Sequence, residues 1–345
     1  MKRALTLLVL LCAVSVTYGQ QHDFSKLNSV ISRSDELISN DTNAYFQNVD
    51  SWIMYYQGEI KFEKYYHGFT KDSLHHIQSQ TKSIVSLLTG IAIDQGSIKS
   101  EEQLASTWFS EKFSQSDTLK SKVRLRDLLT MSGGFLWEEM LPFDDQKNDN
   151  ANMYRSGHWL RYALSRPMLH EPFTVFKYNS GSHMIVAGIV EKATGMPLEK
   201  FAERNLFNKL GIERFRWQKD STGFCHAGGG LHLKPSDMIK IGIMVLNNGM
   251  YNGKRIIPEA WLEKSFKPYF KTEFGGKSYG FFWWVKDFAI TKDRTTKVIS
   301  AEGAGGQSLF IIPEFSMVIS FTEHNYTTPQ VGLWILKDYI LPALK

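Results

Sequence analysis

Apolar and polar positions give the chain strand-like ends and a helical middle. Residues 49–67 place aromatic and β-branched side chains on both sides of Gln57-Gly58, a pattern typical of a β-hairpin. From Ser79 to Gln95 the apolar residues recur at helical spacing, and Gly96 ends the pattern. The stripe on this predicted helix consists of Ile84, Leu87, Leu88, Ile91 and Ala92.

The rest of the chain continues this division. Residues 25–38 predict a helix, and residues 100–214 predict mainly helices joined by turns. Beyond residue 215 the glycine-rich HAGGGL precedes two helical segments, PSDMIKIGIMVLNNG and PEAWLEKSF. Strand patterns follow in YGFFWWVKDF, TKVISAE and QSLFIIPEFSMVISFTEH, and residues 328–344 predict a closing helix.

This order of elements predicts an α+β fold, with one antiparallel sheet built from both ends of the chain and flanked by helices. We place the sheet domain at residues 20–99 and 215–345, and an inserted, mainly helical domain at residues 100–214. A cleft between two such units is the expected place for a ligand.

The first residues have the pattern of an export signal. Lys2 and Arg3 precede an apolar run, and Thr17-Tyr18-Gly19 offers small residues before a cut. We therefore expect residues 1–19 to be removed from an exported protein, periplasmic or secreted. Because Leu11 is bulky, Cys12 is a poor candidate for lipid attachment. The mature chain would carry 38 basic and 35 acidic residues, a balance that argues against nucleic acid or an anionic membrane as partner.

The remaining residues contain no later stretch long and apolar enough for a membrane helix. Cys225 would be the one cysteine of the mature chain, so no internal disulfide is expected. Neither a His-Glu-x-x-His motif nor paired Cys-x-x-Cys motifs occur. The sequence therefore predicts no metal and no other cofactor, and it does not predict an oligomeric state.

Ser79-Gln80-Thr81-Lys82 opens the apolar helix. Residues three apart share a helix face, so Lys82 would lie beside the hydroxyl of Ser79. A serine becomes a nucleophile when a base takes its proton, and a lysine held neutral by burial can act as that base. The alternative is a serine cap followed by a solvated lysine, and this segment alone leaves both readings open.

Two further segments carry candidate chemistry. Tyr178 precedes a turn of small residues and a helix, and a tyrosine whose pKa is lowered by a neighbouring ammonium can act as a general base. A core tyrosine is the alternative. In AEGAGGQSLFIIPE, glycines interrupt a strand, which indicates either a ligand close to the backbone or a bulge.

Several blocks together resemble the serine β-lactamase and penicillin-binding protein family, in its class C branch. They are SQTKSIVSLLTGIAIDQGSI, VRLRDLLTMSGGFLWEE, YNSGSHMIVAGIVEKATGMPLEKFAERNLFNKLGI and GGGLHLKPSDMIKIGIMVLNNGMYNGKRIIPEAW, in the family's order. The resemblance implies that Ser79 is acylated, that Lys82 is its proton partner, and that Tyr178 is general base and then proton donor. The backbone N–H groups of Ser79 and Ala304 would form the oxyanion hole.

The sequence departs from the class C pattern at two places. Ser180 stands where those enzymes have asparagine, and the lysine-threonine-glycine triplet of the cleft strand is missing, since the stretch reads Glu302-Gly303-Ala304-Gly305-Gly306-Gln307. No cation lies among residues 302–307, so recognition of a substrate carboxylate is not expected. Glu302 would further disfavour an anionic substrate if it faces the cleft. The GAGGQ form resembles the subgroup of 6-aminohexanoate-dimer hydrolase and related esterases.

Other residues are candidates for contact with substrate. They are Ser180, His226, Trp137, Gly303, Gly305 and Gln307. The favoured function is an exported serine hydrolase acting on a small ester or amide. A true β-lactamase or D-alanyl-peptide hydrolase, and a non-catalytic binding or sensor protein on the same scaffold, remain as alternatives.

Overall fold

The computed structural model describes residues 24–40, 46–113, 118–327 and 329–345. The predicted export signal, residues 1–19, lies outside these ranges. Within them, no helix has both the length and the apolar character needed to cross a membrane.

An eight-stranded antiparallel sheet forms the centre of the molecule, in the order β2-β1-β13-β12-β11-β10-β9-β8. The strands are β1 Val49–Tyr56, β2 Glu59–Tyr65, β8 Phe270–Lys271, β9 Ser278–Tyr279, β10 Trp284–Ala289, β11 Thr295–Gly303, β12 Gln307–Ile312 and β13 Met317–Glu323. Short strands β3 His75–His76, β4 Arg216–Trp217 and β5 Leu231–Leu233 form a second sheet, and β6 Met250–Tyr251 pairs with β7 Lys254–Arg255. The first and last strands of the chain therefore meet in one sheet.

Both faces of the large sheet are covered. In β1, Trp52 and Met54 belong to one core and Ile53 belongs to the other, because successive side chains of a strand point to opposite faces. In β12, Phe310 and Leu309 divide in the same way. Burial on both faces explains why these strands appear as continuous apolar runs rather than alternating ones.

Helices of very different length surround the sheet. They are α1 Phe24–Ser39, α2 Gln80–Asp94, α3 Leu125–Leu129, α4 Asp149–Ser156, α5 Trp159–Ser165, α6 Ser180–Thr194, α7 Leu198–Ala202, α8 Asn208–Leu210, α9 Pro235–Leu246, α10 Glu259–Ser265, α11 Val331–Ile335 and α12 Leu341–Ala343. Two π-helical turns, Glu203–Phe207 and Leu336–Ile340, join α7 to α8 and α11 to α12.

Helix α2 is the most enclosed of the long helices. Its residues from Gln80 to Ala92 are all buried. At Gly90 a Cβ atom would lie 2.3 Å from the Trp261 side chain. Because glycine has no side chain, α2 can pack closely against α10 at this point. The sequence prediction of a buried helix beginning at Ser79 agrees with this placement.

The predicted α+β class and antiparallel sheet are confirmed, and the 49–67 hairpin turns at Gln57-Gly58. One predicted strand, YGFFWWVKDF, is instead divided into β9 and β10. The backbone N–H of Phe281 donates to the Ser265 carbonyl and that of Phe282 to the Leu129 carbonyl, which draws this segment out of the strand pairing. The division into domains at residues 100 and 214 stays a prediction.

We predict that Leu309→Ala destabilises the fold by about 2–5 kcal/mol, since truncating a buried leucine loses apolar contact and leaves a cavity. Leu309 is fully buried in β12, and helix α9 packs close to it at Gly242. The free energy of unfolding in urea measures the effect. Leu104→Ala, at a leucine that is 40% exposed, is the control and should cost no more than about 0.5 kcal/mol. A loss at Leu309 as small as that of the control would contradict the predicted packing.

Candidate functional site

Ser79 lies where strand β3 passes into helix α2. It is the N-cap residue of the helix, with φ −66° and ψ −7°. Gln78, just before it, has φ 51°, a left-handed conformation that costs a non-glycine residue about 1–2 kcal/mol. Such strain is retained when surrounding structure fixes it, and here it accompanies a sharp turn that brings Ser79 to the wall of a pocket.

Lys82 lies one turn further along the helix, and its side chain reaches back to Ser79. Its Nζ donates a hydrogen bond to Ser79 Oγ over 2.7 Å and another to the Gly228 carbonyl. Lys82 is only 2% exposed. Burial lowers its pKa to about 8, against an opposing effect of the Glu139 carboxylate. A useful fraction of this amine is therefore neutral near physiological pH and can accept a proton.

Tyr178 completes a group of three with Ser79 and Lys82. Its hydroxyl is hydrogen-bonded to the Ser79 side chain, and the Lys82 Nζ lies 5.1 Å from its ring centroid. The expected lowering of its pKa is wrong. Burial and the carboxylates of Glu139 and Glu302 raise the pKa of Tyr178, and the hydrogen bond to Ser79 only partly opposes them. Tyr178 is thus a phenol, suited to donating a proton.

Glu139 is a site residue that the sequence analysis missed. It lines the pocket and accepts hydrogen bonds from the Ser180 backbone N–H over 2.6 Å, from Ser180 Oγ over 3.0 Å and from Trp137 Nε1 over 2.5 Å. Burial raises the pKa of this carboxyl, while Lys82 lowers it. The one sequence signal was its place in the GGFLWEE block, which does not show which of two adjacent glutamates faces the site.

Strand β11 runs against the turn that carries Ser79. At Gly303 a Cβ atom would lie 2.7 Å from the Ile77 carbonyl oxygen and 3.0 Å from the Ser79 backbone nitrogen. Only glycine permits this approach. The close neighbour is the chain's own turn, so the ligand contact expected from the sequence stays a prediction. Ser79, Gly303 and Ala304 all line the pocket, so the start of a helix and the end of a strand border the same space.

The structure separates the predicted substrate-contacting residues into two groups. Ser180, His226 and Gly303 line the pocket. Trp137, Gln307 and Gly305 do not line the pocket, because each contacts other residues of the protein instead. Trp137 is 2% exposed and donates to Glu139, the Gln307 Nε2 donates to the Glu323 carbonyl, and Gly305 lies beneath the Tyr326 ring.

His226 lines the pocket and packs against two aromatic rings. Its ring stacks on Tyr154 at 4.7 Å and meets Trp159 edge-on at 4.9 Å. Burial and the charge of Lys82 lower its pKa to about 3, so the ring is neutral. Within the described residues neither ring nitrogen has a hydrogen-bond partner, and the same holds for the Oδ1 of neighbouring Asn150. All three atoms are buried, and buried polar atoms without a partner are uncommon in folded proteins.

The residues near Ser79 offer no metal site. Across the described ranges, no group of three or more histidine, cysteine, aspartate or glutamate side chains is arranged to hold a metal ion. The arrangement instead contains what nucleophilic catalysis requires: a hydroxyl, a partly neutral amine, a phenol and backbone donors around one pocket.

Comparison with known proteins agrees with this chemistry. A model of the Beta-lactamase family matches residues 47–331. The 6-aminohexanoate-dimer hydrolase of Paenarthrobacter ureafaciens is 25% identical over 290 residues, covering 78% of this chain and 71% of that protein.

Solved structures share the fold at low identity. EstCE1, a hydrolase with promiscuous acyltransferase activity, superposes with a TM-score of 0.76 at 13% identity over 91% of this chain and 99% of that one. Simvastatin synthase (LovD) from Aspergillus terreus gives a TM-score of 0.71 at 13% identity, over 91% and 98%. These two comparisons support the fold alone.

We predict that Gly303→Ala slows fluorophosphonate labelling of Ser79 on the order of a hundredfold, because the added methyl group displaces β11 or the Ser79 turn. The rate of labelling under excess probe measures the effect. Thr295→Ala, at an exposed position of the same strand, serves as control. Labelling at the wild-type rate by a folded Gly303→Ala variant would contradict the close approach.

Proposed function

Because the chain belongs to the β-lactamase family, we propose that it is an exported serine hydrolase that cleaves an ester or amide through an acyl-enzyme on Ser79. One observation carries the proposal: the Ser79 hydroxyl meets both the Lys82 amine and the Tyr178 hydroxyl in one pocket. Family members are hydrolases, and the relative named for cleavage of 6-aminohexanoate dimer points to an amide or ester as the substrate class.

The first step forms the acyl-enzyme. Neutral Lys82 takes the proton of Ser79 as Oγ attacks the substrate carbonyl, and the amine becomes an ammonium. The carbonyl oxygen gains negative charge, and the backbone N–H groups of Ser79 and Ala304, two residues that line the pocket, are proposed to stabilise it. Loss of one such donor typically costs a factor on the order of a hundred or more in rate.

The second step releases the leaving group. Tyr178 donates its phenolic proton to the departing oxygen or nitrogen, and the Lys82 ammonium then returns a proton to the phenolate. Glu139 supports this exchange, since its carboxylate favours the charged form of Lys82 and orients Ser180. A water molecule next attacks the acyl carbonyl, gives up a proton to the same groups, and frees Ser79.

The two alternatives stated from the sequence make different claims about this pocket. A β-lactamase or D-alanyl-peptide hydrolase would need to hold a substrate carboxylate, yet strand β11 presents Glu302 to the pocket. A non-catalytic binding protein would not require the contact between Ser79 and a buried, partly neutral lysine. Ser180 and His226 are proposed to contact the substrate.

We predict that Ser79→Ala abolishes fluorophosphonate labelling and that Lys82→Ala lowers ester turnover by about a hundredfold or more, as expected for lost proton transfer. Intact-mass spectrometry and initial rates measure the two effects. Ser86→Ala is the matched control, because this serine lies on the same helix and its buried hydroxyl finds no partner among the described residues. Persistent labelling of folded Ser79→Ala would refute the assignment of the nucleophile.

The same preparation separates the alternatives. Turnover of a short-chain p-nitrophenyl ester with slow turnover of nitrocefin supports the proposed hydrolase. Fast nitrocefin turnover with inert esters would favour the β-lactamase, and absence of both labelling and turnover in folded protein would favour the binding protein.

We predict that kcat/KM for a neutral ester rises about tenfold per pH unit below pH 8 and then levels off. Lys82 acts as a base only when neutral, and its lowered pKa of about 8 sets the inflection. Glu139→Gln should move the inflection to lower pH, because the Glu139 carboxylate raises the pKa of Lys82. An inflection near 10.5, the ordinary value for lysine, would show that Lys82 is not the base.

A further inference from the structure

A lysine and a glutamate face each other in the pocket wall beside Tyr178. Lys277 ends the loop between β8 and β9, and Glu302 lies on β11. Their side chains form an ion pair, and both line the pocket. The side chains are only 12% and 11% exposed. Residues 302–307 contain no cation, and Lys277 from a neighbouring loop supplies one beside them, which the sequence analysis did not foresee.

The partners of this pair hold it in place. The other oxygen of Glu302 accepts a hydrogen bond from Ser300 Oγ over 2.6 Å. The Lys277 ammonium lies 5.4 Å from the Trp284 ring centroid, a cation–π distance. The Trp284 ring in turn stacks in parallel with Tyr178 at 6.1 Å.

The ion pair lies on the side of the pocket where the leaving group of the substrate is expected. Tyr178 is the proposed proton donor to the leaving group, and Glu302 lies near enough to raise its pKa. Glu302 also directly precedes Gly303 and Ala304, which border the nucleophile. The ion pair is therefore part of the wall against which a leaving group would rest.

We propose that Glu302 sets the charge preference of this site by cancelling Lys277, so that the enzyme favours substrates with an uncharged leaving group. The inference rests on the proposed function. Paired with Glu302, the Lys277 ammonium offers little attraction to a second carboxylate, and Glu139 adds another negative group to the same pocket. Without Glu302, a largely buried ammonium would face the pocket unpaired and would attract an anion strongly.

We predict that Glu302→Gln raises the ratio of kcat/KM for 3-carboxyphenyl acetate to that for its neutral methyl ester by about tenfold or more. Glutamine keeps the shape and can still accept from Ser300, so the main change is the lost charge. Lys277→Gln should move the same ratio in the opposite direction, since it leaves Glu302 unpaired. If Glu302→Gln fails to fold, Lys277→Gln alone decides the matter.

Two controls sharpen the test. Glu314→Gln removes a glutamate from an exposed ion pair with Arg294, outside the residues that line the pocket, and should leave the ratio unchanged. The double variant Lys277→Gln with Glu302→Gln restores neutrality and should return the ratio to near the wild-type value. The proposal would be overturned if neither single variant changed the ratio, or if both variants shifted the ratio in the same direction.

A binding measurement separates this proposal from the proposed hydrolysis. By calorimetry, benzoate should bind Glu302→Gln about tenfold more tightly than wild type, while benzamide binding should not change. This readout does not require turnover. If esters are not hydrolysed and Ser79 is not labelled, the hydrolase is refuted and the benzoate result still stands. If wild type and Glu302→Gln bind benzoate equally well, the role of Glu302 is refuted and the hydrolase still stands.

Discussion

The contact between the Lys82 amine and the Ser79 hydroxyl is the interaction on which the site depends. An ordinary surface lysine would be an ammonium at neutral pH and could not accept a proton. Enclosure of α2 between the sheet and its neighbouring helices removes water from Lys82, and that burial lowers its pKa. The same apolar packing that stabilises the fold therefore also prepares the proposed base.

Two glutamates line the pocket, and each interacts with a different lysine. Glu139 acts on Lys82 and orients Ser180, whereas Glu302 is matched by Lys277. Burial and both carboxylates raise the pKa of Tyr178, which suits the proton donor proposed above. The amine and the phenol therefore respond in opposite directions: burial lowers the pKa of Lys82, whereas burial together with the nearby carboxylates raises the pKa of Tyr178.

Sequence reasoning succeeded where the signal was local or repeated. The family, the fold class, the hairpin and the helix after Ser79 follow from periodicity and from several ordered blocks. It failed where residues far apart in the sequence determine a pKa or the end of a strand. The pKa of Tyr178 depends on carboxylates far along the chain, and the strand expected over YGFFWWVKDF breaks because Phe281 and Phe282 bond to carbonyls of other segments. Burial placed Trp137 and Gln307 behind the pocket wall, which residue type alone does not show.

Pairing of β1 with β13 has a consequence for how the protein is made. Strand β1 lacks one of its two sheet neighbours until residues 317–323 have left the ribosome. Pairing across so long a sequence separation is slow, since a large loop must close before the contact forms. The central sheet of such a nascent chain therefore stays incomplete until nearly all of the chain has been made.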